Sequence, residues 1–128
     1  MPELQRILHV EDDPSIQAVA KLALEAVGGF QVLSCACGQD ALDQLQGFAP
    51  DFILLDVMMP DMDGPQTLAR MARLIDIQQV PVVFMTAKVQ PAEIAHYRSL
   101  GARDVIIKPF DPMQLATQVR TIWSQVHE

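Results

Sequence analysis

The sequence is poor in the residues that build disulfide frameworks, thiolate metal sites and nucleic-acid surfaces. Among 128 residues there are two cysteines, three histidines and nine lysines or arginines. Cys35 and Cys37 lie too close together for an ordinary disulfide and have no partner pair at zinc-site spacing, so we interpret them as small core or rim residues. The formal net charge is −7, and binding to nucleic-acid phosphates requires clustered basic residues, so no direct nucleic-acid contact is expected.

Long apolar runs are also missing. No run approaches the ~20 residues of a membrane span, and the N-terminus lacks the basic and apolar segments of a signal peptide. These absences predict no membrane insertion and a cytoplasmic location. The length is typical of one domain and the hydrophobic content of 50% is enough for a buried core, so residues 1–128 are interpreted as a single domain.

Five short apolar runs recur along the chain, with helix-period segments between them. This alternation predicts βαβ units and a parallel sheet, hence an α/β fold. The third and fourth runs are continuously apolar, which is typical of central strands covered on both faces. The five predicted strands are Arg6 to Val10, Gln31 to Ala36, Asp51 to Leu55, Val80 to Met85 and Asp104 to Ile107.

Three helix starts are indicated by an aspartate close to a proline. A side-chain oxygen at the N-cap and a proline in the first turn both favour a helix beginning. The pattern occurs at Asp13-Pro14, Asp63-Gly64-Pro65 and Asp111-Pro112. In the last helix, apolar residues at spacings of four, three and four predict one stripe facing the sheet, with Trp123 beside it; they are Leu115, Val119, Ile122 and Val126.

Ionisable and hydroxyl side chains follow four of the predicted strands. Ligands of open parallel sheets bind beyond the carboxyl ends of the strands, and those positions hold Glu11-Asp12-Asp13, Asp56, Thr86-Ala87 and Lys108-Pro109. Neighbouring carboxylates repel one another unless a cation joins them, and Mg²⁺ prefers such oxygens. Asp13 is either a further ligand or, as we favour, a helix cap.

This set of residues also suits a chemical step. A carboxylate can attack phosphorus to form an acyl phosphate, a reaction that needs positioning and neutralisation of the transferring oxygens. Asp56 would be the nucleophile, Lys108 a second positive charge, and the Thr86 hydroxyl a hydrogen-bond donor to a phosphoryl oxygen. His9, inside the first strand, is interpreted as a satisfied or rim residue and not as a phosphodonor.

Four motifs in order make the chain resemble the CheY-like receiver domains of bacterial two-component response regulators. The resemblance covers nearly the whole chain and implies a doubly wound five-stranded parallel sheet of flavodoxin-like order 2-1-3-4-5, with helices on both faces. It also implies a single receiver domain, with no output domain visible in residues 1–128. The motifs are Ile7 to Pro14, Ile53 to Gly64, Val82 to Ala87, and Gly101-Ala102 followed by Val105 to Phe110.

The resemblance implies a role for each site residue. Asp56 would be phosphorylated, Asp12 and Asp56 would bind Mg²⁺ directly, and Glu11 would act near the ion or through water. The main-chain carbonyl of Met58 would be a further ligand. Thr86 would move toward the phosphoryl group, and Lys108 would be the active-site cation, joined to Pro109 by a cis bond.

The resemblance further implies a signalling phosphoacceptor that promotes its own phosphotransfer and dephosphorylation, not an enzyme acting on other substrates. A histidine kinase or histidine phosphotransfer protein would be the donor, and the chain would be a monomer or weak dimer. A downstream protein would bind the face formed by the fourth helix, fifth strand and fifth helix. Candidate contacts there are His96, Tyr97, Arg98 and Met113.

The sequence departs from the family pattern at the output step. Val105 stands where the family often has a tyrosine or phenylalanine, so a signal based on rotation of that ring is not expected. Met58 and Lys88 lie where family members tune dephosphorylation. Two alternatives are a Mg²⁺-dependent phosphatase, which commonly has an acid two positions after the nucleophile where this chain has Met58, and a phosphorylation-independent receiver fold used only for docking.

Overall fold

The computed structural model describes residues 3–87 and 90–127, and within them five parallel strands form one sheet of order β2-β1-β3-β4-β5. This confirms the expected sheet and its order. The strands are β1 (Arg6–Val10), β2 (Gln31–Cys35), β3 (Phe52–Asp56), β4 (Val82–Thr86) and β5 (Asp104–Ile107).

Strands β3 and β4 end one residue later than the apolar runs suggested. Asp56 pairs with Met85, and Thr86 pairs with Ile107, so both polar residues still belong to the sheet. Pro81 lies just before β4, where its missing N–H removes no bond of the ladder. The candidate site residues Asp56 and Thr86 are thereby fixed by strand backbone and not by a loop.

Helices alternate with the strands in the described part of the chain. Helix α1 continues through a π-helical turn at Ala23–Val27, and the structure shows no side-chain cap at the start of α4 or of α5. The helices are α1 (Pro14–Leu22), α2 (Gly38–Phe48), α3 (Gly64–Met71), α4 (Pro91–Ser99) and α5 (Leu115–Val126).

Two of the three predicted helix starts are confirmed. Asp13 accepts hydrogen bonds from the backbone N–H groups of Ser15 and Ile16, and Asp63 forms a reciprocal capping box with Gln66. Each carboxylate satisfies N–H groups that have no partner within the helix.

The third predicted start, at Asp111-Pro112, is wrong by several residues because a turn intervenes. The Asp111 carboxylate accepts from Met113 N, and its carbonyl accepts from Gln114 N and Leu115 N. Asp111 therefore caps a turn, and α5 begins only at Leu115.

The core lies in two layers, one on each face of the sheet. Helices α1 and α5 cover one face, where Leu115, Val119 and Ile122 are buried with Trp123 against the strands. Helices α2, α3 and α4 cover the other, with Leu45, Leu68 and Met71 among the buried residues. The predicted stripe of α5 is confirmed, although Val126 at its end is only half-buried. Among the described residues, no helix combines the length and apolar character needed to cross a membrane.

The start of α3 packs directly against the backbone that carries Asp56. A Cβ atom added to Gly64 would lie 2.7 Å from the carbonyl oxygen of Asp56 and 2.9 Å from the Cα of Val57. The Gly64 N–H also donates to the Val57 carbonyl over 2.9 Å. Glycine is therefore required here by close approach of two backbone segments.

We expect Gly64→Ala to lower the free energy of unfolding by about 1–3 kcal/mol, because neither backbone segment can yield without moving the end of β3. Urea denaturation measures this change. Gly47→Ala is the matched control, since nothing lies within 4 Å of a Cβ at Gly47 and alanine in a helix is favoured by about 0.5–1 kcal/mol over glycine. Equal effects of the two substitutions would contradict the close-approach argument.

Candidate functional site

Three carboxylates meet at the carboxyl end of the sheet. Val10 and Leu55 are register partners in the neighbouring strands β1 and β3, so the residues that follow them emerge side by side. Glu11, Asp12 and Asp56 each offer an oxygen, and these oxygens all lie within 4.8 Å of one another. Glu11 and Asp56 are buried, whereas Asp12 is exposed. The convergence expected from the sequence is therefore present.

Lys108 lies between two of these carboxylates. Its Nζ donates a hydrogen bond to Glu11 Oε1 over 2.9 Å and lies 3.0 Å from Asp56 Oδ1. The residue directly follows β5, and its backbone N–H donates to the Thr86 carbonyl over 2.8 Å. The Lys108–Pro109 peptide bond is cis, as the resemblance implied. Side chains from three strand ends thus form one ion cluster.

The open space above the cluster is a cavity of about 240 Å³. Thr86, the buried last residue of β4, borders it together with Met58, whose side chain is 78% exposed. The cavity thus places a hydroxyl, an ammonium group and three carboxylates around one volume open to solvent. Its lining comprises Glu11, Asp12, Asp13, Ile16, Asp56, Met58, Thr86, Ala87 and Lys108.

Burial dominates the electrostatics of Asp56. The pKa of its carboxyl is raised to about 6: desolvation by burial is the largest cause, the hydrogen bond and charge of Lys108 lower the pKa, and the neighbouring Glu11 raises it. For Lys108, burial acts to lower the pKa, but the hydrogen bonds to Glu11 and Asp56 and their charges outweigh it and leave the pKa raised. The ammonium group thus remains charged and neutralises part of the cluster.

The donor set fits a hard divalent cation such as Mg²⁺. Both oxygens of Glu11 already accept hydrogen bonds, Oε1 from Lys108 and Oε2 from Asp13 N over 3.2 Å. Asp12 is exposed, and its carboxylate accepts no hydrogen bond from the described residues. Asp56 faces the same cavity. Oxygen ligands that leave room for water and for a phosphate oxygen are those that Mg²⁺ favours.

Other residues singled out from the sequence have structural roles. Asp13 and Asp63 cap helices, as favoured. Cys35 is buried and Cys37 exposed, with neither in a disulfide, which confirms their interpretation as core and rim residues. Lys88 lies outside the described residues.

The prediction for one residue of this region, His9, is wrong. His9 was interpreted as satisfied or at the rim, but it is fully buried, and neither ring nitrogen has a hydrogen-bond partner among the described residues. Desolvation and then the charge of Lys108 lower its pKa to about 4. The sequence offered one indication of this position. His9 lies two residues before Glu11, and alternate residues of an extended segment point to the same face of the sheet.

Comparison with known proteins gives one consistent family. The family model described as "Response regulator receiver domain" matches residues 7–120. Transcriptional regulatory protein CseB of Streptomyces avermitilis is 36% identical over 122 residues, which are 95% of this chain and 50% of that protein. DNA-binding response regulator MtrA of Mycolicibacterium smegmatis is 36% identical over 116 residues, or 91% and 49%. The chain therefore spans about half the length of the curated relatives it matches.

Solved structures agree with this comparison. Chemotaxis protein CheY4 of Vibrio cholerae superposes with a TM-score of 0.86 at 26% identity, covering 94% of this chain and 99% of that one. A CheY-like receiver domain protein from Methanospirillum hungatei gives a TM-score of 0.84 at 25% identity, covering 98% of each chain. The likeness extends over the whole sheet and its helices.

We expect Lys108→Met to lower the free energy of unfolding by about 3–5 kcal/mol, because it leaves two buried carboxylates without their cation. The measurement is urea denaturation at neutral pH in a chelating buffer. Lys21→Met, at an exposed position in α1, is the control and should change stability by less than about 0.5 kcal/mol. A similar loss in both variants would mean that Lys108 does not compensate the cluster.

Proposed function

We propose, for a chain that belongs to the response regulator receiver domain family, that Asp56 is the residue that accepts the phosphoryl group. The observation that carries the proposal is the contact of Lys108 with both Glu11 and Asp56 at the strand ends, beside the Thr86 hydroxyl. Of the three clustered carboxylates, Asp56 lies centrally, on a strand between β1 and β4. Asp12 is exposed, and both oxygens of Glu11 are engaged.

The proposed transfer takes place between a phosphohistidine and the Asp56 carboxylate. One carboxylate oxygen attacks phosphorus, a P–O bond forms, and the P–N bond of the donor breaks. The imidazole leaves with the electron pair of that bond and takes up a proton, and Asp56 becomes an acyl phosphate. No oxidant or further reactant is needed.

Each neighbouring residue has a proposed task. Asp12 and Asp56 would hold Mg²⁺ directly, Glu11 would act near the ion or through water, and the main-chain carbonyl of Met58 would be a further ligand. The ion, when bound, neutralises charge on the transferring phosphoryl oxygens. Lys108 pairs with one of these oxygens, and the Thr86 hydroxyl donates to another.

The partners are proposed from the chemistry and from the surface. The donor is a histidine kinase or a histidine phosphotransfer protein, and a downstream protein binds the face formed by α4, β5 and α5. Large apolar side chains are exposed on and beside this face: Leu100 at 42%, Ile107 at 55% and Met113 at 65%. We further propose that residues 1–128 act as one receiver domain, monomeric or weakly dimeric, in the cytoplasm, without direct contact to nucleic acid.

Phosphorylation at Asp56 is tested with acetyl phosphate and Mg²⁺, followed by intact mass spectrometry. The wild-type chain should gain the mass of one phosphoryl group, and Asp56→Asn should gain none because an amide is not a nucleophile of this kind. Asp61→Asn, at an exposed loop aspartate, is the matched control and should be phosphorylated normally. Addition to the Asp56→Asn variant would place the acceptor elsewhere.

Mg²⁺ binding should weaken as the pH falls. The pKa of Asp56 without metal is about 6, and the ion binds the ionised carboxylate, so protonation competes with it below that pH. We expect the dissociation constant at pH 5 to be roughly tenfold larger than at pH 8, since about a tenth of Asp56 is then ionised. Isothermal titration calorimetry measures it.

Asp56→Asn provides the control for this pH dependence. The amide cannot be protonated in this range, so the variant should bind Mg²⁺ more weakly and with a flatter pH profile. A wild-type dissociation constant that is the same at pH 5 and pH 8 would contradict binding of the ion by an Asp56 carboxylate with a raised pKa.

A further inference from the structure

A second cavity, of about 690 Å³, lies between the loop that follows β3 and helix α4. Its volume is within the range of ligand-binding clefts. Apolar side chains from the loop and the start of α3 form one wall, and Tyr97 of α4 lies opposite. Met58, 78% exposed, and the prolines Pro60 and Pro65 belong to the apolar wall. This cleft is distinct from the cavity around the carboxylate cluster.

One part of the cleft is acidic. Asp63 and His96 line it, and Glu93, which stands one helical turn before Tyr97 in α4, is near enough for its charge to act on the Tyr97 hydroxyl. The pKa of that hydroxyl is raised, first by burial and then by the charges of Glu93 and Asp63. The cap interaction of Asp63 uses Oδ1, which leaves Oδ2 as an acceptor. One lining carboxylate, Asp63, and a second on the same helix as Tyr97, Glu93, therefore lie near the apolar wall.

We propose that this cleft, here called the α3–α4 cleft, docks a segment of a partner protein in which an arginine or lysine stands beside apolar side chains. The cationic group pairs with Asp63 and Glu93, and its methylene stem and the apolar neighbours lie on Met58, Pro60 and Pro65. A guanidinium group also stacks favourably on an aromatic ring such as that of Tyr97. The chain's net charge of −7 attracts a basic segment from a distance.

The α3–α4 cleft shares a wall with the phosphoacceptor cavity. Met58 lines both, so a docked segment touches a residue two positions after Asp56. Helix α4 forms the opposite wall, and it packs weakly on the rest of the protein because none of its described residues is fully buried. Its half-buried Tyr97 packs edge-on against Phe84 of β4 at 5.1 Å. Docking in the cleft therefore acts on α4 and on the edge of the acceptor site together.

The test uses unphosphorylated protein and the peptide acetyl-Leu-Arg-Leu-amide, with methionine methyl groups labelled by ¹³C. We expect the Met58 methyl and the Tyr97 ring resonances to shift on titration. Acetyl-Leu-Glu-Leu-amide should shift neither, because its carboxylate meets like charges, and acetyl-Ser-Arg-Ser-amide should bind more weakly for lack of apolar contact. Shifts confined to other methionines would overturn the proposal.

Two double variants of equal charge change complete the experiment. Asp63→Asn with Glu93→Gln should weaken binding of the arginine peptide about tenfold or more, while asparagine preserves the helix cap. Glu25→Gln with Asp43→Asn removes two charges away from the cleft and should leave binding nearly unchanged. An equal loss of affinity for the arginine peptide in both variants would show that only the net charge matters, and it would overturn the proposal.

A second copy of this chain is the competing occupant. If the Met58 and Tyr97 resonances shift with protein concentration alone, the cleft is a self-association surface and the proposal fails. The phosphoacceptor function is checked separately, since the Asp63→Asn, Glu93→Gln variant should still gain one phosphoryl group from acetyl phosphate. A lack of peptide binding with normal phosphorylation would reject the docking proposal alone.

Discussion

The contact of Lys108 with Glu11 and Asp56 is the interaction on which the site depends. Buried carboxylates are strongly disfavoured unless a positive charge accompanies them, and here the charge comes from a residue 97 positions away from Glu11 in sequence. The ammonium group lies 2.9 Å from one carboxylate and 3.0 Å from the other. The chain can therefore assemble its acidic cluster before any ion or phosphoryl group arrives, because the fold supplies its own cation.

This arrangement follows from the topology of a parallel sheet. Strand β3 lies between β1 and β4, so all of its carboxyl-end side chains have neighbours on both sides. Glu11, Asp56 and Thr86 are thus held by three adjacent strands, and Lys108 follows β5 at the edge. The close approach of Gly64 to the Asp56 carbonyl fixes the far side of the same strand end. Positioning of this kind is the main requirement of phosphoryl transfer.

Much of this was predictable from the sequence because its signals are local. Apolar runs mark strands buried on both faces, and Asp13 and Asp63 cap helices within three residues of themselves. The failures involve competition or long-range packing. Asp111 had the same local pattern but caps a turn. The local pattern places His9 on the same face of the sheet as Glu11, but the lack of a hydrogen-bond partner for its ring among the described residues depends on long-range packing. The contact of Lys108 with Glu11 was not predicted, because it depends on how the strand ends lie next to one another in the folded sheet.

Helix α4 connects the candidate acceptor site with the proposed partner surface through packed side chains. Val105 is half-buried and belongs to the cluster that includes Phe84 and Tyr97, so this face contains an aromatic pair although β5 itself contributes a valine. The pair links the strand that ends at Thr86 to the helix. The expected movement of Thr86 would act on α4 through this packed contact, and α4 has no fully buried residue within its described length to resist it. The aromatic connection between site and surface is therefore on the helix in this chain, and not on the edge strand.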